Sequence, residues 1–106
     1  MFPSRSGRAD LPRIRPMRVE GEARVCNESG LHARPCHAMV AMALEHTSGL
    51  RVRCGELEVS GKSILELMTL GAEKGTKLQF CAEGPDAEAL VAALVSLVES
   101  GFAGVS

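Results

Sequence analysis

The stretch MRVEGEARVCNESGLHARPCHAMVAMAL, residues 17–44, contains the change of periodicity that decides the fold. Small or apolar residues alternate with charged ones over residues 17–25, and this period of two is typical of a strand with one buried face. From His32 onward the apolar residues recur at helical spacing instead. These residues are Cys36, Met39, Val40 and Ala43. We therefore predict a strand, a polar loop and a helix in succession.

The same two periods alternate through the rest of the chain. Strand patterns cover residues 50–54, 56–59 and 77–82, and helical patterns cover residues 63–70 and 87–100. Gly55 favours a tight hairpin between the first two strands, with Arg and Glu side chains on the solvent face. The predicted fold is therefore α+β. It is an open-faced two-layer sandwich, in which three helices cover one face of a four-stranded antiparallel sheet in the order βαββαβα.

Capping residues mark the start of both later helices. Ser63 and Glu66 have the spacing of a capping box, in which the hydroxyl and the carboxylate each accept a hydrogen bond from a backbone N–H. The sequence Gly-Pro-Asp, residues 84–86, predicts a turn followed by an N-cap. We expect these helices to end at Gly71 and Gly101, because glycine readily adopts the left-handed conformation that closes a helix.

Length and composition limit the class of protein. A chain of 106 residues suits one compact domain, which excludes a multidomain enzyme. No apolar run reaches the roughly 18 residues that a membrane span needs. Aromatic residues amount to 3% with neither Trp nor Tyr, so a stacking platform for single-stranded nucleic acid is not expected.

The formal net charge of −1 hides an asymmetry along the chain. Residues 1–18 contain five arginines and one aspartate, whereas residues 19–106 contain seven basic and twelve acidic residues. The first 16 residues lack periodicity, which is typical of a disordered or loosely docked segment. We predict a basic leader over residues 1–16 and one folded domain over residues 17–106. The role of the leader stays open between targeting, contact with a nucleic acid or membrane surface, and none.

The cysteines do not indicate a disulfide framework or a metal site. They are Cys26, Cys36, Cys54 and Cys81. They form no CxxC pair and follow no secretory segment, so we predict free thiols in a reducing cytosol. His32, Cys36 and His37 are poor metal ligands as a group, because adjacent helical residues diverge by about 100° and no second ligand pair is present.

The most informative motif is Gly-Leu-His-Ala-Arg-Pro, residues 30–35. Pro35 fits only the first turn of a helix, so His32 lies at or beside the N-cap and Arg34 lies just inside. A helix N-terminus presents free N–H groups and a partial positive charge, which favour an anion. An imidazole there can accept a phosphoryl group, and the Arg34 guanidinium can bind phosphate oxygens through parallel donors.

This motif, with Ser63 and the stretch GKSILELMTLGAEKGT, residues 61–76, resembles HPr. HPr is the histidine-containing phosphocarrier of the phosphoenolpyruvate-dependent phosphotransferase system. The resemblance runs without gaps through about residues 19–100. It implies that His32 is phosphorylated on Nδ1 and that Arg34 supports the phosphate. It also implies a carrier rather than an enzyme, with phosphorylated enzyme I as donor and an enzyme IIA component as acceptor.

The resemblance assigns further roles outside the phosphorylated histidine. Ser63 matches the regulatory serine that an HPr kinase/phosphorylase modifies in some members, and it also serves as a plain N-cap. Residues on the first two helices match the surface that docks protein partners, with core packing as the alternative for Ile64 and Leu65. The expected docking residues are His37, Ala41, Leu44, Ile64, Leu65 and Met68.

Three positions depart from the common pattern of the family. Ala41 and Leu44 stand where members are often polar, and Glu66 stands where some have Lys or Gly. A sugar-specific enzyme IIA is therefore one expected acceptor. A nitrogen-type phosphotransfer chain and a regulatory module acting through Ser63 are the alternatives. We expect a cytoplasmic monomer without metal, cofactor, nucleic-acid partner or membrane insertion.

Overall fold

The computed structural model describes residues 17–103 of the chain. Within this range the elements are β1 (Arg18–Arg24), α1 (Ala33–Leu44), β2 (Gly49–Cys54), β3 (Leu57–Ser60), α2 (Ile64–Met68), β4 (Lys77–Glu83) and α3 (Ala87–Glu99). The predicted order βαββαβα is confirmed. The predicted leader lies outside the described residues.

The four strands found in residues 17–103 form one antiparallel sheet in the order β1-β4-β2-β3. β4 is an interior strand, and its Phe80 lies opposite Gly21 of β1 on one side and Val52 of β2 on the other. Because successive side chains point to opposite faces, the alternating pattern gives these strands one apolar face. Its buried side chains in β2 and β4 are Leu50, Val52, Leu78, Phe80 and Ala82.

The helices cover this apolar face and complete the core. Met39 of α1, Leu67 of α2 and Leu90 of α3 are fully buried. Gly21 lets α3 approach β1 closely, because a Cβ at this position would lie 2.6 Å from Cγ1 of Val91. No helix within residues 17–103 is long and apolar enough to cross a membrane.

The β2–β3 hairpin uses one carboxylate for two arginines. Glu58 accepts from Nε of Arg51 at 3.1 Å and from Nη2 of Arg53 at 3.2 Å. The strand pattern over residues 56–59 predicted that Glu56, like Glu58, would face the arginines across the sheet, but Glu56 lies in the turn instead. The register explains this difference, because Arg53 pairs with Glu58 and Arg51 lies opposite Ser60.

Asp86 occupies the predicted N-cap position of α3, but its carboxylate makes no capping hydrogen bond. It accepts instead from the backbone N–H groups of Thr47 at 3.0 Å and Ser48 at 2.9 Å, and from the Ser48 hydroxyl. These bonds, the Ser48 hydroxyl first among them, lower the pKa of Asp86 to about 2. The carboxylate thus ties the start of α3 to the loop between α1 and β2.

The end of α3 is a Schellman motif at the predicted glycine. The N–H of Gly101 donates to the carbonyl of Val98 at 3.0 Å, and the N–H of Phe102 donates to the carbonyl of Leu97 at 2.9 Å. Gly101 and Phe102 both have positive φ, at 71° and 62°. Phe102 is buried, so packing of its ring against the core offsets the cost of a left-handed conformation.

Candidate functional site

His32 is the N-cap residue of α1, which confirms the position inferred from Pro35. Its backbone is extended, with φ −98° and ψ −167°, and its side chain is exposed. The carbonyl of His32 accepts from the N–H of Cys36 at 3.1 Å, whereas the imidazole makes no capping hydrogen bond. The ring nitrogens are therefore not used to hold the helix.

The first turn of α1 provides backbone donors and no competing carboxylate. The first N–H groups of a helix have no intrahelical acceptor, and in this turn they belong to Ala33 and Arg34, since Pro35 has none. The turn contains no acidic residue, whereas the first turns of α2 and α3 contain Glu66 and Glu88. The positive end of α1 is therefore not neutralised by its own side chains, which suits an anion.

Arg34 adds a full positive charge beside these donors. Its side chain is exposed, and within residues 17–103 no carboxylate lies within ion-pair distance of its guanidinium. Other arginines of the described range, such as Arg18 and Arg51, are engaged by glutamates. The guanidinium of Arg34 thus has no carboxylate partner among the described residues, and its parallel donors suit an anion such as phosphate.

The loop that leads into His32 is held against a second loop, residues 72–76. The N–H of Leu31 donates to the carbonyl of Ala72 at 2.9 Å, and the Leu31 side chain is buried. Gly30 has φ 67°, and a Cβ at this position would lie 2.5 Å from the same carbonyl oxygen. Both the conformation and the close contact therefore require glycine at this position.

Further contacts join the two loops at the ends of β1 and β4. The N–H of Val25 donates to the carbonyl of Thr76 at 2.8 Å, and the N–H of Gly75 donates to the carbonyl of Val25 at 2.7 Å. Nζ of Lys74 lies 2.6 Å from a carboxylate oxygen of Glu28. Sequence reasoning missed this second loop, because its hydrogen bonds join distant parts of the chain and leave no local pattern.

Ser63 is the N-cap of α2, as predicted. Its hydroxyl accepts from the N–H of Glu66 at 3.2 Å, so this half of the capping box is confirmed. The Glu66 carboxylate, however, accepts from the N–H of Ser60 at 2.8 Å. The N–H of Ser63 is already directed to the Ser60 carbonyl, at 3.4 Å, which explains why the second half of the box is displaced.

The six expected docking residues lie on α1 and α2. Five of them are exposed, namely His37, Ala41, Leu44, Leu65 and Met68. Leu65 is the most exposed of the large apolar residues within residues 17–103, with a relative solvent accessibility of 78%. Ile64 differs, because it is half-buried and packs against the core. Two neighbouring helices thus present apolar side chains to solvent, a pattern typical of interaction surfaces.

The other reactive side chains do not form a second centre in the described part of the chain. Within residues 17–103 no group of three metal-ligating side chains is present, and the four thiols are free. Burial raises the pKa of the Cys36 thiol, which makes it a poor nucleophile. A hollow of about 470 Å³ on the helix-free face of the sheet is lined largely by charged side chains that pair with one another.

Comparisons with known proteins agree with this geometry. A family model described as "PTS HPr component phosphorylation site" matches residues 19–100. The phosphocarrier protein HPr of Borreliella burgdorferi is 40% identical over 82 residues, covering 77% of this chain and 95% of that protein. The phosphocarrier protein NPr of Shewanella violacea is 31% identical over 85 residues, covering 80% and 93%. The crystal structure of HPr-C-His from Thermoanaerobacter tengcongensis matches with a TM-score of 0.76 at 38% identity, covering 79% and 94%.

The fold and these matches define the class of protein to which the chain belongs. The protein is a phosphocarrier component of the phosphoenolpyruvate-dependent phosphotransferase system, and it is not itself a catalytic enzyme. Within that class, the chain belongs to the HPr family. It therefore works together with other proteins of the phosphotransferase system.

Proposed function

We propose that His32 is the residue that carries the phosphoryl group, with Arg34 and the first turn of α1 supporting it. The observation that supports this most directly is an exposed imidazole at a helix N-terminus that has free N–H groups and no acidic residue. Transfer forms a bond between phosphorus and a ring nitrogen of His32 while the bond to the donor breaks. No water is consumed, and the phosphoryl group stays transferable.

The exposure of the site suits a carrier rather than a store of phosphate. His32 and Arg34 are both exposed, so a bound phosphate would remain largely hydrated and its ion pair with Arg34 would be weak. A second protein can therefore approach the phosphorus without a lid having to open. In this proposal enzyme I delivers the phosphoryl group, and an enzyme IIA component removes it.

The docking surface of the proposed carrier lies on α1 and α2. Both partners must reach the same histidine, so they must use overlapping surfaces in turn. The exposed apolar side chains of Leu44, Leu65 and Met68 lie on α1, whose N-cap residue is His32, and on α2, which packs beside it. His37, Ala41 and the open part of Ile64 complete the proposed surface.

The decisive experiment is incubation of the protein with phosphoenolpyruvate and enzyme I. We expect one acid-labile, alkali-stable phosphate per chain, and we expect His32→Ala to abolish it. His46→Gln is the matched control, because His46 lies beyond the opposite end of α1 and outside the proposed docking surface, so this variant should leave the amount of phosphate unchanged. Phosphate that survives in His32→Ala would overturn the proposal.

The similarity to NPr favours a second candidate acceptor. A nitrogen-type phosphotransfer chain would use the same histidine chemistry with another enzyme IIA, and Ala41 and Leu44 would then meet a different partner surface. Phosphorylated protein can be offered to a sugar-type and to a nitrogen-type enzyme IIA in parallel. We expect the faster transfer to identify the system served.

We also propose that Ser63 is a site of regulation by an HPr kinase/phosphorylase. Its hydroxyl is half-buried and engaged by the N–H of Glu66, so phosphorylation would have to replace this capping bond. Incubation with ATP and such a kinase should give an acid-stable phosphate that Ser63→Ala removes. If Ser63 alone is modified and His32 never is, the protein is a regulatory module with little phosphate flux.

A further inference from the structure

Asn27 lies in the loop between β1 and α1, outside the motif that contains His32. Its side-chain Nδ2 donates to the carbonyl of Gly30 at 2.9 Å. In return, the backbone N–H of Gly30 donates to the carbonyl of Asn27 at 3.2 Å. The side chain and the backbone of Asn27 together close a turn over residues 27–30.

The carbonyl oxygen of Gly30 connects this turn to the candidate site. It accepts from Nδ2 of Asn27 and also from the backbone N–H of His32, at 3.1 Å. The next residue, Leu31, is fixed by its hydrogen bond to Ala72. The orientation of the Gly30 peptide therefore decides how the chain enters α1 at His32.

The orientation of the Asn27 side-chain amide leaves its oxygen without a hydrogen bond. Its Oδ1 is buried and has no hydrogen-bond partner among the described residues. The reverse orientation of the amide would place two acceptor oxygens against each other, so the orientation with Nδ2 towards Gly30 is the favourable one. An unsatisfied buried acceptor destabilises a fold, and such local violations are typical of positions that serve function.

We propose that Asn27 is a positioning residue for His32. Its hydrogen bond to the Gly30 carbonyl fixes the orientation of the peptide group that follows Gly30. That orientation sets the direction in which the chain enters α1 at His32, and therefore the position of the imidazole relative to the free N–H groups of the first turn. Asn27 does not touch the phosphate. The proposal rests on the proposed function, in which His32 is the phosphorylated residue.

The test compares phosphorylation kinetics of Asn27→Ala and Asn27→Asp with those of the wild-type protein. Aspartate has nearly the same shape as asparagine but, when ionised, cannot donate to Gly30. We expect kcat for phosphorylation by phosphorylated enzyme I to fall about tenfold in both variants, because small misplacements of a reacting group are costly. KM should change less than about twofold, since the docking residues on α1 and α2 are untouched.

Glu28→Gln is the matched control for a change in the same loop. Glu28 is exposed and pairs with Lys74, so this variant loses a surface ion pair but keeps both bonds between residues 27 and 30. Its kcat should stay within about twofold of wild type. The backbone amide resonances of Leu31 and His32 should move in Asn27→Asp and stay in place in Glu28→Gln.

A purely structural role for Asn27 predicts another result. It would lower Tm and leave kcat unchanged at temperatures well below Tm, and that outcome overturns the proposal. The wild-type protein gives a check that needs no variant, because the Nδ2 protons of Asn27 should exchange with water more slowly than those of a free side-chain amide. Unprotected Nδ2 protons would overturn the proposal even if neither variant folds. A wild-type protein that takes up no phosphate on His32 would instead overturn the proposed function.

Discussion

At the residue scale, the candidate site is defined by what the first turn of α1 leaves unpaired. The imidazole of His32 makes no capping bond, and the described residues place no carboxylate on the guanidinium of Arg34. The N-cap side chains of the other two helices do form hydrogen bonds. The Ser63 hydroxyl caps α2, and the Asp86 carboxylate binds the loop between α1 and β2. Donors are thus concentrated where an incoming anion has least competition.

Replacement of Arg34 should slow phosphoryl transfer without unfolding the protein. An exposed ion pair contributes up to about 1 kcal/mol, so Arg34→Ala should lower kcat/KM for phosphorylation of His32 by up to about fivefold. Arg34→Lys should retain part of the rate, because lysine keeps the charge and loses the parallel donors. The measurement is the initial rate with phosphorylated enzyme I. Arg53→Ala, on the helix-free face of the sheet, is the control that separates local binding from net charge.

Asp86 should make stability depend on acid pH. Its pKa is about 2 in the folded protein and near the ordinary value of 3.8 in the unfolded chain, so the folded state favours the carboxylate. The stabilisation is therefore complete above about pH 4 and is lost as the pH falls towards 2. Asp86→Asn should lower the midpoint of urea unfolding at pH 7 and reduce the loss of stability between pH 5 and pH 2. An Asp86→Asn variant that loses as much stability as the wild-type protein between pH 5 and pH 2 would contradict this account.

At the element scale, the sequence pattern predicted which segments are strands and helices, but not how their ends are joined. The period of two in β1 and the apolar stripe of α1 are local signals, and Pro35 placed the start of α1 correctly. The hydrogen bonds of Asp86 with Ser48 and of Leu31 with Ala72 join segments far apart in the chain. A local pattern carries no information on such partners, so these contacts could be found only in the folded molecule.

Gly30 and Gly55 provide a test of the loop that presents His32. Both have positive φ, 67° and 63°, but a Cβ on Gly55 meets nothing within 4 Å, whereas one on Gly30 meets the Ala72 oxygen. Gly55→Ala should therefore cost about 1 kcal/mol of unfolding free energy from conformation alone, and Gly30→Ala about 2 kcal/mol or more. Urea unfolding measures both values. Only Gly30→Ala should also slow phosphorylation, and equal effects of the two variants on the rate would contradict this account of the loop.

At the scale of the whole molecule, the basic and acidic charges of the chain are divided along its length. Residues 1–18 are strongly basic and the remainder is acidic, so the net charge of −1 describes neither part. The segment that matches the family, residues 19–100, lies entirely within the predicted folded domain. Phosphate transfer is therefore expected to be a property of residues 17–106.

Deletion of residues 1–16 tests this division. Because the site and the core described here involve residues of the range 17–103, we expect the shortened protein to keep its Tm within about 2 °C and its phosphorylation rate within about twofold. Thermal unfolding and the initial rate with phosphorylated enzyme I are the two measurements. A large loss in either would show that the boundary at residue 17 is misplaced.

The hydrogen bond between Leu31 and Ala72 also bears on the order of events in folding. It joins a loop from the first half of the chain to a loop from the second half, so it is a long-range contact and costs loop entropy before it forms. During synthesis, the segment around His32 emerges well before Ala72 is available to hold it. A nascent or truncated chain that ends before Ala72 therefore has the motif but lacks this support, and under the proposed function we expect it to accept phosphate more slowly than the folded protein.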